Sequence, residues 1–350
     1  MSVLNLIRKD LITIKNYTPK GDELDCRLHA NELPWAALSM DNLPLNHYPE
    51  LKEQKKLETQ VAEHYQLKSE QILLTRGSDD AIDFLMRLFL TAREDSFMQC
   101  PPTFPMYEFY ARLQQVETIN CHLNAEEGFS FSAENLMACW QPNCKLIMLC
   151  NPNNPTATLI DLATIAKLCQ RFRDEAIVVV DEAYFEFTQM TSASTLLSSF
   201  DNLIILRTLS KAYGLAGLRL GAIIAQPQLI EAMRKLIPPY TLPSPVIHLA
   251  QRALADKDWF NQKIQLILAE RELLSANFKR SPWIKTVYPS KANFILVASF
   301  YAQILAKWFS EHSIAVRYFD TGSMQSMLRI TVGNPDQNQR MLAALASFKP

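Results

Sequence analysis

Between about residue 50 and residue 235, short apolar runs alternate with stretches of helical periodicity. The strand candidates are 71–75, 96–100, 145–150, 176–180, 203–206 and 220–225, and 79–90 and 162–171 are among the helical stretches. Runs 176–180 and 203–206 are apolar throughout, whereas a strand with one wet face would alternate. They read as strands buried on both faces. Such strands, alternating with helices, predict an α/β fold with a mainly parallel central sheet and covering helices.

Ligands of open α/β sheets collect at the carboxyl ends of strands, and polar motifs follow four of these runs. After 203–206 comes Arg207-Thr208-Leu209-Ser210-Lys211-Ala212-Tyr213-Gly214-Leu215-Ala216-Gly217-Leu218-Arg219. It sets Lys211 in apolar surroundings. Partial desolvation there favours the free amine, which can attack an aldehyde. Ser210 and Arg219 are residue types that hold a phosphate. After 176–180 comes Asp181-Glu182-Ala183-Tyr184. A buried carboxylate at Asp181 needs a cation, which a protonated pyridine nitrogen would supply. Tyr184 stands three residues on as a donor for a ring phenolate oxygen.

The run ending at residue 150 leads into Asn151-Pro152-Asn153-Asn154-Pro155-Thr156, a rigid turn rich in amide donors. The run 71–75 leads through Arg76-Gly77-Ser78-Asp79-Asp80 into a helix whose first N–H groups suit a phosphate. That site requires the backbone of Ser78 and Asp79 to face the anion, with both Asp carboxylates turned away. Taken singly, these segments are a surface lysine, a helix cap and two turns. Together, on one sheet edge, they point to pyridoxal 5′-phosphate.

In this order and spacing the motifs resemble the fold-type I pyridoxal-phosphate-dependent aminotransferases, from Tyr17 to Val332. His29-Ala30-Asn31-Glu32, Tyr48-Pro49, Thr75–Asp79, Cys100-Pro101-Pro102-Thr103-Phe104 and Leu328-Arg329-Ile330-Thr331-Val332-Gly333 are similar to the histidinol-phosphate branch. The resemblance implies that Lys211 is the Schiff-base lysine and proton shuttle, and that Asp181 pairs with the ring nitrogen. Tyr184 and Asn154 would hold the phenolate oxygen, and Ser78, Asp79, Ser210 and Arg219 the phosphate. Phe104 would stack on the ring. The family often has Tyr at this place, but the π-face does the stacking. Tyr48 would reach the phosphate from a neighbouring subunit, which implies a homodimer. Arg329, Arg317, Tyr17, Asn31 and Asn154 would meet the substrate. A guanidinium fork accepts either a phosphate or a carboxylate.

The implied reaction is amino transfer between histidinol phosphate and 2-oxoglutarate. Aromatic amino-acid transamination and decarboxylation of a threonine phosphate would use the same cofactor residues, and a non-catalytic module of this fold is the rival of another class. The chain departs from the family at His29, usually Asn, and at Ala157, usually Gly. If residue 157 takes positive φ, the alanine is strained.

At 350 residues the chain exceeds what one core usually serves. The Pro-rich segment 237–245 is expected to be non-helical and to mark a boundary. It separates a large cofactor-binding domain (36–245) from a small α+β domain formed by 246–350 with the N-terminal arm 1–35. Net charge is −1, with no basic run, so neither nucleic acid nor a membrane is expected as a partner. The N-terminal stretch lacks a signal-peptide core. Seven cysteines without a Cys-x-x-Cys pair, and six scattered histidines, indicate neither a metal site nor a disulfide framework. The reducing cytoplasm fits this usage. Cys100 and Cys150 read as small core residues.

Overall fold

The computed structural model describes residues 26–28, 31, 33–35, 49, 51–234, 237 and 240–350. In chain order its strands are β1 (Cys26–Arg27), β2 (Ile72–Thr75), β3 (Ser96–Gln99), β4 (Glu117–Asn120), β5 (Cys144–Cys150), β6 (Ile177–Asp181), β7 (Leu203–Thr208), β8 (Gly221–Ile224), β9 (Thr286–Val287), β10 (Phe294–Ala298), β11 (Ile314–Ala315), β12 (Arg317–Phe319) and β13 (Met327–Thr331). The helices are α1 (Leu51–His64), α2 (Gly77–Phe89), α3 (Met106–Leu113), α4 (Ala133–Cys139), α5 (Leu162–Arg171), α6 (Pro227–Arg234), α7 (Ser244–Ala255), α8 (Lys257–Arg280), α9 (Ala302–Glu311) and α10 (Pro335–Ser347).

Among the described residues the large sheet has seven strands in the order β2-β8-β7-β6-β5-β3-β4. Only β8 runs against its neighbours. β2 therefore runs the same way as β7, and six strands send their carboxyl ends to one edge. The expectation of a mainly parallel sheet with covering helices is met. Burial explains the uniformly apolar strands. Val178 and Val180 of β6 face one apolar cluster and Val179 the other, and all three are fully buried. Each such side chain gains about 1.5–3 kcal/mol on leaving water.

A smaller antiparallel sheet has the order β12-β13-β10-β9, and β1 pairs with β11 in a third, two-stranded sheet. Local capping sets several helix starts. Asp161 accepts from Thr164 N at 2.8 Å and opens α5, while Asn334 and Gln337 cap each other ahead of α10.

Two sequence expectations need correction. α2 starts at Gly77, two residues before the expected 79, because Gly77 (φ +82°) turns directly from β2 into the helix. The segment 237–245 is not wholly non-helical. Ser244 and Pro245 open α7, since proline costs no hydrogen bond in a first turn. At Val316 the chain passes from the β1–β11 pair to the β12–β13 pair. α7 and α8 divide at Asp256, whose side chain accepts from Trp259 N at 3.0 Å. All seven cysteines are free thiols. No helix among the described residues is long and apolar enough to cross a membrane.

Candidate active site

β5, β6 and β7 lie side by side, with Cys150 opposite Asp181 and Asp181 opposite Leu206. The loops that follow therefore open at one level. They form a cavity lined by Ser78, Asp79, Phe104, Asn154, Asp181, Tyr184, Ser210, Lys211 and Arg219, together with Cys150, Ala183 and Thr208. Four sequence motifs thus converge on one space.

Asp181 forms one wall and is almost fully buried. Its Oδ2 accepts from the Tyr107 hydroxyl at 2.6 Å, and its Oδ1 accepts from Ala183 N at 3.1 Å. Burial pushes the carboxyl up to about 6, although the Tyr107 and Ala183 donors pull it down. A carboxylate has about four acceptor positions, and two are used here. The geometry fits a ring N–H from pyridoxal phosphate, whose positive charge would offset the desolvation. Tyr107 is fully buried in α3, and its ring meets Phe104 edge to face with centroids 5.6 Å apart. Sequence reasoning missed Tyr107. Its only signal was an aromatic position on a helix following Phe104.

The opposite end of the cavity collects anion-binding groups. Arg219 adopts φ +51°, donates to Ser210 Oγ at 3.3 Å and bridges to Asp79 Oδ2 at 3.0 Å. Thr208 Oγ1 donates to Ser210 Oγ at 3.0 Å. Asp80 turns away onto the Arg76 side chain at 2.8 Å and its backbone N at 3.0 Å. Asp79 does not turn away as expected, because the Arg219 guanidinium attracts it. Gly221 makes the crowding possible. A Cβ there would lie 2.7 Å from Gly77 C and 2.9 Å from Ser78 N. Only glycine lets β8 approach the α2 N-terminus this closely.

The third side is a hydrogen-bonded relay. The Tyr184 oxygen accepts from Asn154 Nδ2 and from Asn31 Nδ2, each at 3.2 Å. Arg329 donates to Asn154 Oδ1, and Thr331 Oγ1 donates to Asn31 Oδ1 at 2.7 Å. Arg329 and Thr331 are two apart in β13 and share a face. Arg317 lies directly opposite Arg329 in the β12–β13 register. Lys211 Nζ sits 5.8 Å from the centre of the Tyr184 ring.

Behind the loops, Arg207 is enclosed with two carboxylates. Its Nε lies 2.9 Å from Glu182 and its Nη1 2.9 Å from Glu186, with side-chain exposures of 6%, 0% and 8% in that order. The rings of Tyr65 and Phe185 lie on the guanidinium at 4.8 and 4.6 Å. Glu182 also accepts from Ser192 Oγ at 2.7 Å and Ala193 N at 2.8 Å. The network ties the turn after β6 to the strand that leads to Lys211. Charged residues in the two motifs were visible in the sequence, but not their pairing. Ala157 has φ +59°, the strained left-handed conformation. Tyr17, His29 and Tyr48 lie outside the described residues.

Residues 12–345 match the family model "Aminotransferase class I and II". The chain is 50% identical to histidinol-phosphate aminotransferase 1 of Legionella pneumophila (strain Lens), over 99% of this chain and 96% of that one. The fold is shared with the crystal structure of histidinol-phosphate aminotransferase from Sinorhizobium meliloti in complex with pyridoxal-5′-phosphate (TM-score 0.84, 21% identity, 96% of this chain and 95% of that one). It is also shared with L-threonine-O-3-phosphate decarboxylase from Porphyromonas gingivalis (TM-score 0.76, 23% identity, 92% and 99%). Fold alone thus spans transamination and decarboxylation, and the 50% identity is the discriminating finding.

Proposed function

Because the chain belongs to the class I and II aminotransferases and, within them, to the histidinol-phosphate aminotransferases, we propose that it transfers an amino group reversibly between L-histidinol phosphate and 2-oxoglutarate, giving imidazole-acetol phosphate and L-glutamate. It is a transaminase that uses pyridoxal 5′-phosphate. The observation that carries the substrate reading is Arg329, which donates to Asn154 in the wall of the cavity that holds Lys211 and stands opposite Arg317 in the β12–β13 register. Two guanidiniums suit a phosphate dianion on one substrate and a carboxylate on the other.

The bound cofactor would supply an aldehyde carbon for the amine and a ring that withdraws electrons. Lys211, in the cavity wall, would hold the cofactor through its amine, and as a free amine it would be the group placed to take up and hand on the substrate Cα proton. Asp181, fixed by Tyr107, would pair with the ring nitrogen. Tyr184 and Asn154 would hold the ring oxygen, Ser78, Asp79, Ser210 and Arg219 the phosphate, Asp79 by its backbone N–H and through Arg219, and Phe104 would stack on the ring. The same residues would serve the return half-reaction with 2-oxoglutarate. A cytoplasmic homodimer completes the reading, with Tyr48 and Tyr17 assigned to the site by the family resemblance.

Adding histidinol phosphate to the cofactor-loaded protein should bleach its visible band, and 2-oxoglutarate should restore it. Bleaching by phenylalanine but not by histidinol phosphate would move the substrate to aromatic amino acids. Release of carbon dioxide would make the chain a decarboxylase.

A further inference from the structure

The relay on β13 has a consequence for the direction of one hydrogen bond. A phenol oxygen has two lone pairs and one proton. At Tyr184 both lone pairs are engaged by amide donors, Asn31 Nδ2 and Asn154 Nδ2. The hydroxyl proton is then the one polar function it has left to offer.

Both amides are held in that orientation by β13. Arg329 carries donors alone, so its bond to Asn154 Oδ1 leaves the Asn154 nitrogen facing Tyr184. A threonine hydroxyl has one proton and two acceptor lone pairs, and here it both accepts from Asn31 and donates to it. The backbone N–H of Asn31 donates to Thr331 Oγ1 at 3.1 Å, and the Thr331 proton goes to Asn31 Oδ1 at 2.7 Å. Asn31 is pinned from the other side by Asn293 Nδ2, which donates to its peptide oxygen at 3.0 Å. Asn31 and Thr331 are each 1% exposed, so water cannot replace these bonds. A flipped Asn31 amide would take the acceptor away from the Thr331 proton, and a buried donor without an acceptor is costly.

We infer that Thr331 is a positioning residue: it holds the Asn31 amide with its nitrogen toward Tyr184, and so commits the Tyr184 hydroxyl to donate into the cavity that contains Lys211. This rests on reading that cavity as the cofactor site. There the acceptor would be the cofactor's ring oxygen. A donor to that oxygen draws off negative charge. Less negative charge there lowers the pH at which the neighbouring Lys211 nitrogen gives up its proton. The other charged or titratable groups around Tyr184 are Arg329 on β13, Asp181 on β6, Cys150 on β5 and Lys211 itself. None is altered by a change at residue 331.

The test is a pH titration of the visible band of the cofactor-loaded protein, for wild type, Thr331→Val and Thr331→Ser. Valine keeps the shape and removes the hydroxyl, which frees Asn31 to turn its oxygen toward Tyr184. The midpoint should rise by about half a pH unit or more, the scale of one hydrogen bond. Serine should restore the wild-type midpoint. A valine variant with the wild-type midpoint would overturn the inference, as would a serine variant that shifts as far as valine does. If valine does not yield folded protein, Thr331→Ala removes the same hydroxyl and is judged by the same midpoint. Absence of a band in wild type would instead refute the cofactor reading.

Discussion

The edge of the large sheet and strand β13 serve one cavity in different ways: the edge lines it, and β13 holds the amides that meet Tyr184 in its wall. On the large sheet, each functional side chain sits in the loop just after a buried strand, and parallel register brings the loops together. On β13, Arg329 and Thr331 lie within an antiparallel strand and reach the site by alternation, while Leu328 and Ile330 fill the core. The first arrangement rests on buried charges, Asp181 and the Arg207 network. The second rests on neutral amides and hydroxyls oriented by one arginine and one threonine. The difference suggests a division of labour, with the sheet edge holding the cofactor and β13 tuning it while binding the substrate.

The largest expected effect tests that division. Lys211→Ala should abolish both turnover and the visible band of bound cofactor. Arg329→Gln should keep the band and lower kcat/KM for histidinol phosphate about ten- to a hundredfold, the worth of a charge-assisted hydrogen bond. Loss of the band in Arg329→Gln would mean that the two sides cannot be separated.

Next in size is the support behind the sheet edge. Arg207→Met should destabilise the chain by about 3–5 kcal/mol, because it leaves Glu182 and Glu186 buried without their cation. Equilibrium urea unfolding reads this directly. A loss below about 1 kcal/mol would fit a solvated surface pair instead.

The smallest effect concerns the turn that carries Asn154. Ala157→Gly should stabilise the chain by about 1 kcal/mol, since glycine takes φ +59° without strain. Unchanged or lower thermal stability would show that the buried methyl group outweighs the strain.

The sheet edge was the more legible side because its chemistry is local. Lys211, Asp181 and Asn154 each follow a run that could only be a buried strand, so position along the chain predicted position on the edge. Tyr107 was missed because nothing near it in sequence says that its helix packs behind Asp181. The carboxylate of Asp79 was misjudged because its partner, Arg219, is 140 residues away. The start of α2 was misplaced because an aspartate pair looks like a helix start, whereas Gly77 had already made the turn.

By itself the sequence determined the strand–helix alternation, the common edge of the polar motifs, the family and the cofactor, because periodicity and short motifs are properties of neighbouring residues. The tertiary structure alone decided which carboxylate holds which cation, that Arg317 faces Arg329, and that Thr331 reaches Asn31 across 300 residues. These depend on strand register and side-chain direction, which follow from how distant segments pack and leave no pattern along the chain.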